Sequence, residues 1–232
     1  MKICVIIPAL NEEKSIGRAI SAIRESLQNL SLDHEIFVCD NGSSDNTSTI
    51  SRSNGAQVIN APVRGYGSAC LAGIAALPAD CDIVLFMDAD LSDDARDASG
   101  LLNPLIYNRA DLVIGSRPLL AVPGSLTFVQ KFGNWLSTYL IYRIWKYRYS
   151  DLGPFRAIRY SALLALKMND MNYGWTIQMQ IRAIKQKLRI QETNVHYRRR
   201  VGVSKISGTI RGSVMAGIII LRTIWQELRV NK

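Results

Sequence analysis

Asp88-Ala89-Asp90 is the segment of this sequence best suited to chemistry. Residues i and i+2 of an extended chain point to the same side, so the two carboxylates can converge on one point. Two hard oxygen ligands placed this way suit Mg2+ or Mn2+, especially where a diphosphate completes the shell. Such a cation would offset the charge that builds on a departing nucleoside diphosphate. The plainer alternative is that these acids cap the next helix, a task for which Ser92, Asp93 and Asp94 are also suited. Two other polar clusters invite attention: Pro8-Ala9-Leu10-Asn11-Glu12-Glu13 and Asp40-Asn41-Gly42-Ser43. A fourth, Arg64-Gly65-Tyr66-Gly67-Ser68-Ala69, has glycines near dinucleotide-binding spacing. It follows the third strand rather than the first, and Cys70 stands where a third glycine belongs, so a tight turn into a small-residue helix is the simpler reading.

The elements that must position these clusters alternate. Ile3 to Pro8 is a continuous apolar run, as expected of a parallel strand covered on both faces. Residues 12–29 place Ile16, Ala19, Ile20, Ile23 and Leu27 at helical spacing. Strands are predicted at Glu35 to Asp40, Ala56 to Asn60, Asp82 to Met87 and Asp111 to Gly115, with helices ending near Ser53 and spanning 67–77 and 94–108. Strand and helix thus alternate through residue 115, which predicts an α/β fold with a doubly wound, mostly parallel sheet. In such sheets functional groups gather at the carboxyl ends of the strands, which is where all three acidic or polar clusters fall.

The chain has 232 residues, 48% of them hydrophobic and 20% charged, enough to bury a full core and too apolar for a disordered chain. Its net charge of +9 is divided unevenly: residues 1–117 hold 9 basic and 15 acidic side chains, residues 118–232 hold 19 and 4. The basic half expects an anionic partner such as phosphate groups or an anionic membrane surface, unless it is simply a solvated face. Nucleic acid is disfavoured, because the basic and aromatic residues sit at helical spacing and no nucleic-acid motif accompanies them. The longest uncharged stretch, Gly65 to Ala79, is fifteen residues, short of the roughly 20 that a bilayer span requires. Met1 to Pro8 is too short for a signal peptide, and Cys4, Cys39, Cys70 and Cys81 have neither metal nor redox spacing, so a reduced cytoplasmic location is expected.

Taken in order, Pro8-Ala-Leu-Asn-Glu12, Asp40 with Gly42-Ser43, Arg64-Gly-Tyr-Gly-Ser-Ala69, Asp88-Ala-Asp90-Leu-Ser92 and Gly115-Ser-Arg117 resemble family 2 glycosyltransferases of the Rossmann-like GT-A fold. Within that family the chain looks like the dolichyl- or polyprenyl-phosphate mannose and glucose synthases. The resemblance continues through Asp151-Leu-Gly-Pro-Phe-Arg156, Gly174-Trp-Thr-Ile-Gln178 and Arg198-Arg199-Arg200-Val-Gly-Val-Ser-Lys205. It implies that Pro8, Leu10 and Glu12 border the nucleoside, with Val38 and Asp40 beside the base or ribose. It implies that Asp88, Ala89, Asp90 and Ser92 surround the diphosphate and its Mg2+ or Mn2+, and that Arg117, Arg199, Arg200 and Lys205 hold phosphates. Lys131 falls where a related enzyme has a phosphate-binding arginine; lysine keeps the charge and loses the fork. Residues 1–117 would bind the nucleotide sugar and residues 118–232 the acceptor, within one domain.

Asn41 and Gln178 depart from that pattern, standing where many members have acids. Asn suits a turn as well as Asp does, but an amide cannot serve as a general base. A polyprenyl phosphate is already anionic and can attack without first losing a proton, so a glutamine at 178 leans toward a phosphate acceptor over an alcohol. The second half adds Phe128, Phe132, Trp135, Tyr139, Tyr142 and Trp145, mostly three or four residues apart with Lys131, Arg143, Lys146 and Arg148 among them, which predicts an amphipathic helix at a membrane interface. Val214, Ile218, Leu221, Trp225 and Leu228, flanked by Arg211, Arg222 and Arg229, form a second C-terminal amphipathic helix suited to core packing or to membrane contact. The expected protein is a metal-dependent, inverting transferase that moves a hexose from a UDP- or GDP-sugar to a polyprenyl phosphate. It would act peripherally at the cytoplasmic membrane face, with or without a separate membrane-protein partner. The alternatives are a hydroxyl acceptor, soluble or glycan, and a non-catalytic nucleotide- or lipid-phosphate-binding homologue.

Overall fold

A computed structural model describes residues 1–202 and 210–229. Its first half follows the predicted alternation: β1 (Lys2–Ala9), α1 (Ile16–Asn29), β2 (Asp33–Asp40), α2 (Thr47–Ser53), β3 (Gln57–Asn60), α3 (Tyr66–Ala75), β4 (Ile83–Phe86), α4 (Ala98–Ile106) and β5 (Leu112–Ser116). The second half contributes α5 (Phe128–Trp145), β6 (Arg156–Arg159), α6 (Tyr160–Leu166), α7 (Trp175–Lys185), β7 (Ile190–Asn194) and α8 (Ile210–Arg229). Seven strands form one sheet in the order β3-β2-β1-β4-β6-β5-β7. Only β6 runs against the others, pairing antiparallel with β4 on one side and β5 on the other. β6 separates β4 from β5, and β7 extends the far edge beside β5, so both halves of the chain build the same sheet.

Both faces of the sheet are covered, and β1 shows how. Ile3, Val5 and Ile7 face a core shared with Ile16, Ile20 and Ile23 of α1 and Leu101 and Leu105 of α4. The intervening Cys4 and Ile6 face a second core with Cys70 of α3 and Trp175 and Met179 of α7. All four cysteines are free and buried, as small apolar residues of these cores.

Candidate functional site

Parallel pairing sets the carboxyl ends of β1, β2 and β4 side by side. Ile6 pairs with Phe86 and Ala9 with Asp40, and the Asn41 amide continues the ladder to the Ala9 carbonyl at 2.9 Å. A cleft of about 250 Å3 opens there. Of the residues singled out in the sequence, Pro8, Leu10, Glu12, Asp88, Ala89, Asp90 and Arg200 line it. The cleft also takes in Asn41, Arg64, Tyr66 and Tyr173. Arg64 and Tyr66 belong to the glycine-bearing segment at 64–69, whereas Tyr173 carried no mark of its own in the sequence.

The other expected site residues lie elsewhere. Val38 is wholly buried in the core and does not line the cleft. Asp40 is buried behind the cleft wall, where its carboxylate accepts from the Ser43 amide at 2.8 Å and from the Ser48 hydroxyl. Burial opposes the Asp40 charge, and the hydrogen bonds from Ser48 and Ser43 outweigh it, so its carboxyl stays below the usual range. Ser92 is fully buried, and its amide donates to Asp90 at 2.9 Å from behind. Arg117 is locked in a two-pronged pair with Asp151, at 2.6 and 2.8 Å, and lies over the Tyr197 ring. Burial disfavours its charge, but Asp151 prevails and holds the guanidinium above its ordinary range. It braces the chain after β5 rather than facing the cleft. Lys131 and Arg199 are exposed outside the cleft, Arg199 beside Gly124. The side chains of Lys205, Arg211 and Val214 lie outside the described residues.

Three carboxylates crowd the loop after β4. Asp88 is pushed up to about 6 by burial and then by the neighbouring charge of Asp90. Asp93 is pushed well up by burial, then by Asp88 and Asp90, and its Oδ1 has no hydrogen-bond partner among the described residues. The Tyr66 hydroxyl donates to Asp88 Oδ1 at 3.2 Å. A buried, like-charged, incompletely satisfied cluster of hard oxygens fits a divalent cation. Among the described residues no group of three His, Cys, Asp or Glu side chains is placed to ligate one together. Asp88 and Asp90 could therefore hold a metal only with oxygens of a bound diphosphate or water filling the remaining positions.

The glycines at 65 and 67 serve packing. The Gly67 and Ser68 amides, at the start of α3, donate to the carbonyls of Asn172 and Met171 at 3.2 and 2.9 Å. A Cβ at Gly67 would lie 2.1 Å from the Asp170 carbonyl oxygen, so only glycine lets the two chains approach. Helix donors already satisfied in this way cannot cradle a pyrophosphate, which removes the dinucleotide-binding reading.

Asn41 and Gln178 are each fixed by amide chemistry that an acid cannot supply. The Asn41 side chain donates to the Ala61 and Val63 carbonyls at 2.9 and 2.7 Å and accepts from the Gly65 amide at 2.8 Å. Asn41→Asp leaves both carbonyls without donors, and an expected loss of about 2–3 kcal/mol would show in urea unfolding. Gln178 accepts from the Asn169 and Asp170 amides and donates to Asn169 Oδ1 and Glu227 Oε1, all within 3.2 Å. A glutamate there would lose both donors and face Glu227, so this glutamine is an interior tie and not an altered catalytic base. His196 is similarly structural, with its amide and ring on Asp97.

Beyond the cleft, two helices present apolar faces outward. On α5, Phe128 (82% exposed), Phe132, Trp135 (57%) and Tyr139 form one stripe, with Trp135 stacked on Tyr139 at 5.7 Å. Trp145, expected in that stripe, packs against the core. On α8, Ile224 is buried, and Glu227 binds Arg182 and Lys185 of α7 at 2.8 and 3.0 Å. The opposite face exposes Ile218, Leu221, Trp225 and Leu228. Core packing and exposure are therefore divided between two faces of the same helix. Guanidinium groups lie over rings along these faces: Arg229 over Trp225, Arg143 over Tyr139 and Arg148 over Tyr142. Thr223 of α8 donates to Asp170 at 3.0 Å, three residues from the cleft-lining Tyr173. Among the described residues, no helix is long and apolar enough to cross a membrane.

Comparison with known proteins agrees with this architecture. The model of the family described as glycosyl transferase family 2 matches residues 4–164. An uncharacterized glycosyltransferase of Mycobacterium tuberculosis is 36% identical over 216 residues, covering 92% of this chain and 94% of that protein. A dolichyl-phosphate hexose transferase of Haloferax volcanii is 26% identical over 236 residues, covering 98% and 96%. Glucosyl-3-phosphoglycerate synthase of M. tuberculosis, crystallised with Mn2+, UDP-glucose and phosphoglyceric acid, superposes with a TM-score of 0.77 at 23% identity, over 97% of this chain and 79% of that one. At that identity the likeness establishes the fold, which is GT-A.

Proposed function

The chain belongs to glycosyl transferase family 2, and on that footing we propose that it transfers a hexose from a UDP- or GDP-sugar to a polyprenyl phosphate at a membrane surface. The glycosyltransferase activity follows from family membership; the lipid acceptor is our reading. The observation that carries it is the pair of outward apolar and aromatic stripes on α5 and α8, rimmed by arginines, with α8 tied through Thr223 to Asp170, three residues from the cleft-lining Tyr173. Helices with such faces settle at the boundary of headgroups and acyl chains, and each nearby cation adds roughly 1 kcal/mol on an anionic surface. The dolichyl-phosphate hexose transferase among the relatives supports the same acceptor class.

In this reading Pro8, Leu10 and Glu12 border the nucleoside, and Asp88 and Asp90 face the diphosphate, with Ala89 between them and Ser92 steadying Asp90. A divalent cation held by Asp88 and Asp90, Mg2+ or Mn2+, would supply charge stabilisation to the leaving nucleoside diphosphate. An acceptor phosphate oxygen attacks the anomeric carbon, the bond from that carbon to the β-phosphate oxygen breaks, and its electron pair leaves with the diphosphate. Attack opposite the leaving group inverts the anomeric centre. An acceptor that is already anionic needs alignment rather than deprotonation. Arg199 and Lys131 are candidates for guiding the acceptor phosphate from outside the cleft, Lys205 keeps the phosphate-holding role that the family resemblance implies, and Arg117 contributes by bracing the chain after β5. Residues 1–117 carry most of the cleft-lining groups, joined by Tyr173 and Arg200, while residues 118–202 and 210–229 add both apolar stripes.

The test presents radiolabelled donor sugars with vesicles holding polyprenyl phosphate, vesicles holding the corresponding alcohol, or water-soluble hydroxyl acceptors. Label entering the organic phase only with polyprenyl phosphate is expected. Transfer to the alcohol or only to a soluble acceptor would refute the reading, and donor binding with no transfer to any acceptor would favour a binding protein.

A further inference from the structure

Asp90 is 3% exposed and shares its surroundings with the carboxylates of Asp88 and Asp93. Buried acids at this density need a cation nearby. The protein supplies one: the Arg200 guanidinium contacts Asp90 Oδ2 while also lining the cleft. Backbone bonds on either side hold it there, from the Arg198 amide to the Ser92 carbonyl at 2.8 Å and from the Val201 amide to the Asp90 carbonyl at 2.9 Å. Arg198 has a different assignment, pairing with Asp94. Two arginines of one short segment are thus divided between a carboxylate that faces the cleft and one that does not.

We propose that Arg200 is the resident counter-cation of Asp90, displaced when a divalent cation and the donor diphosphate enter, and that the freed guanidinium then pairs with the diphosphate. This rests on the reading of the cleft as a metal-dependent donor site. Metal alone must compete with Arg200 for Asp90. A nucleoside diphosphate removes that competition by offering the guanidinium another anion, so metal and nucleotide each strengthen the other's binding, as linkage requires. The segment bearing Arg200 thereby senses donor loading through a single exchange of partners.

Calorimetric titration of Mn2+ into the nucleotide-free protein tests this. Arg200→Gln is expected to bind Mn2+ about five- to tenfold tighter than wild type, while gaining less from added nucleoside diphosphate. Arg198→Gln, which removes the same charge from the same segment, should leave Mn2+ affinity within about twofold. Equal tightening in both variants would reduce the effect to net charge and overturn the proposal, as would unchanged or weaker binding in Arg200→Gln. Thermal melting checks folding. If Arg200→Gln does not fold, Arg200→Lys, which keeps the charge and loses the fork, is expected to tighten Mn2+ about twofold, and no tightening overturns the proposal. Absence of Mn2+ binding to wild type even with nucleotide would instead overturn the donor-site reading, and the proposal with it.

Discussion

Asp90→Asn is expected to lower turnover by at least about a thousandfold, the scale of losing a preorganised charge-stabilising group at a leaving oxygen. The fold should survive. The asparagine oxygen can still accept from the Ser92 amide, as Asp90 does at 2.9 Å. The substitution forfeits the ion pair with Arg200, but it also relieves the repulsion that Asp90 exerts on Asp88 and Asp93. These opposing changes should keep the melting temperature within a few degrees of wild type. Steady-state assay beside a thermal melt decides the matter: near-normal turnover in a folded Asp90→Asn protein would remove Asp90 from the chemistry.

The second large effect is expected at the apolar stripes. Trp135 and Trp225 are each more than half exposed and lie outside the cleft. Changing both to glutamate withdraws two large apolar groups, at about 1.5–3 kcal/mol each for full burial, and adds two charges repelled by an anionic surface. Partition onto anionic vesicles should fall at least about a hundredfold, with transfer to a vesicle-borne acceptor falling alongside. Affinity for the nucleotide sugar in solution should stay unchanged, which separates a surface effect from misfolding. Sedimentation with vesicles equal to wild type would show that these helices do not dock on lipid.

Most residues that line the cleft were legible in the sequence, and the reason is local. Short apolar runs located the strands, and the rule that parallel sheets place function at their carboxyl ends selected Pro8, Leu10, Asp88 and Asp90 from the residues at and after those ends. Where that rule was too coarse, a side chain's alternation decided. The family resemblance implied a place beside the base or ribose for Val38, but its strand points it into the core and it does not line the cleft.

What escaped was decided by residues far apart in the chain. β6 is only four residues, with an arginine at each end and no useful period, and its antiparallel insertion depends on β4 and β5 leaving a gap. The family resemblance implied a phosphate clamp at Arg117; the partner that claims its side chain, Asp151, is 34 residues away. Gln178 looked like a weakened base until Glu227, 49 residues on, supplied the reason for an amide. Asn41 is explained by carbonyls 20 and 22 residues downstream. In each case residue type was legible and the partner was not.

The most direct measurement follows the phosphorus atoms through one reaction. By 31P NMR, protein, nucleotide sugar, divalent cation and polyprenyl phosphate in vesicles should convert the lipid's phosphate monoester signal into a phosphodiester signal, matched by release of nucleoside diphosphate. Release of nucleoside diphosphate with the lipid monoester signal untouched would contradict transfer to a lipid phosphate and place the acceptor elsewhere.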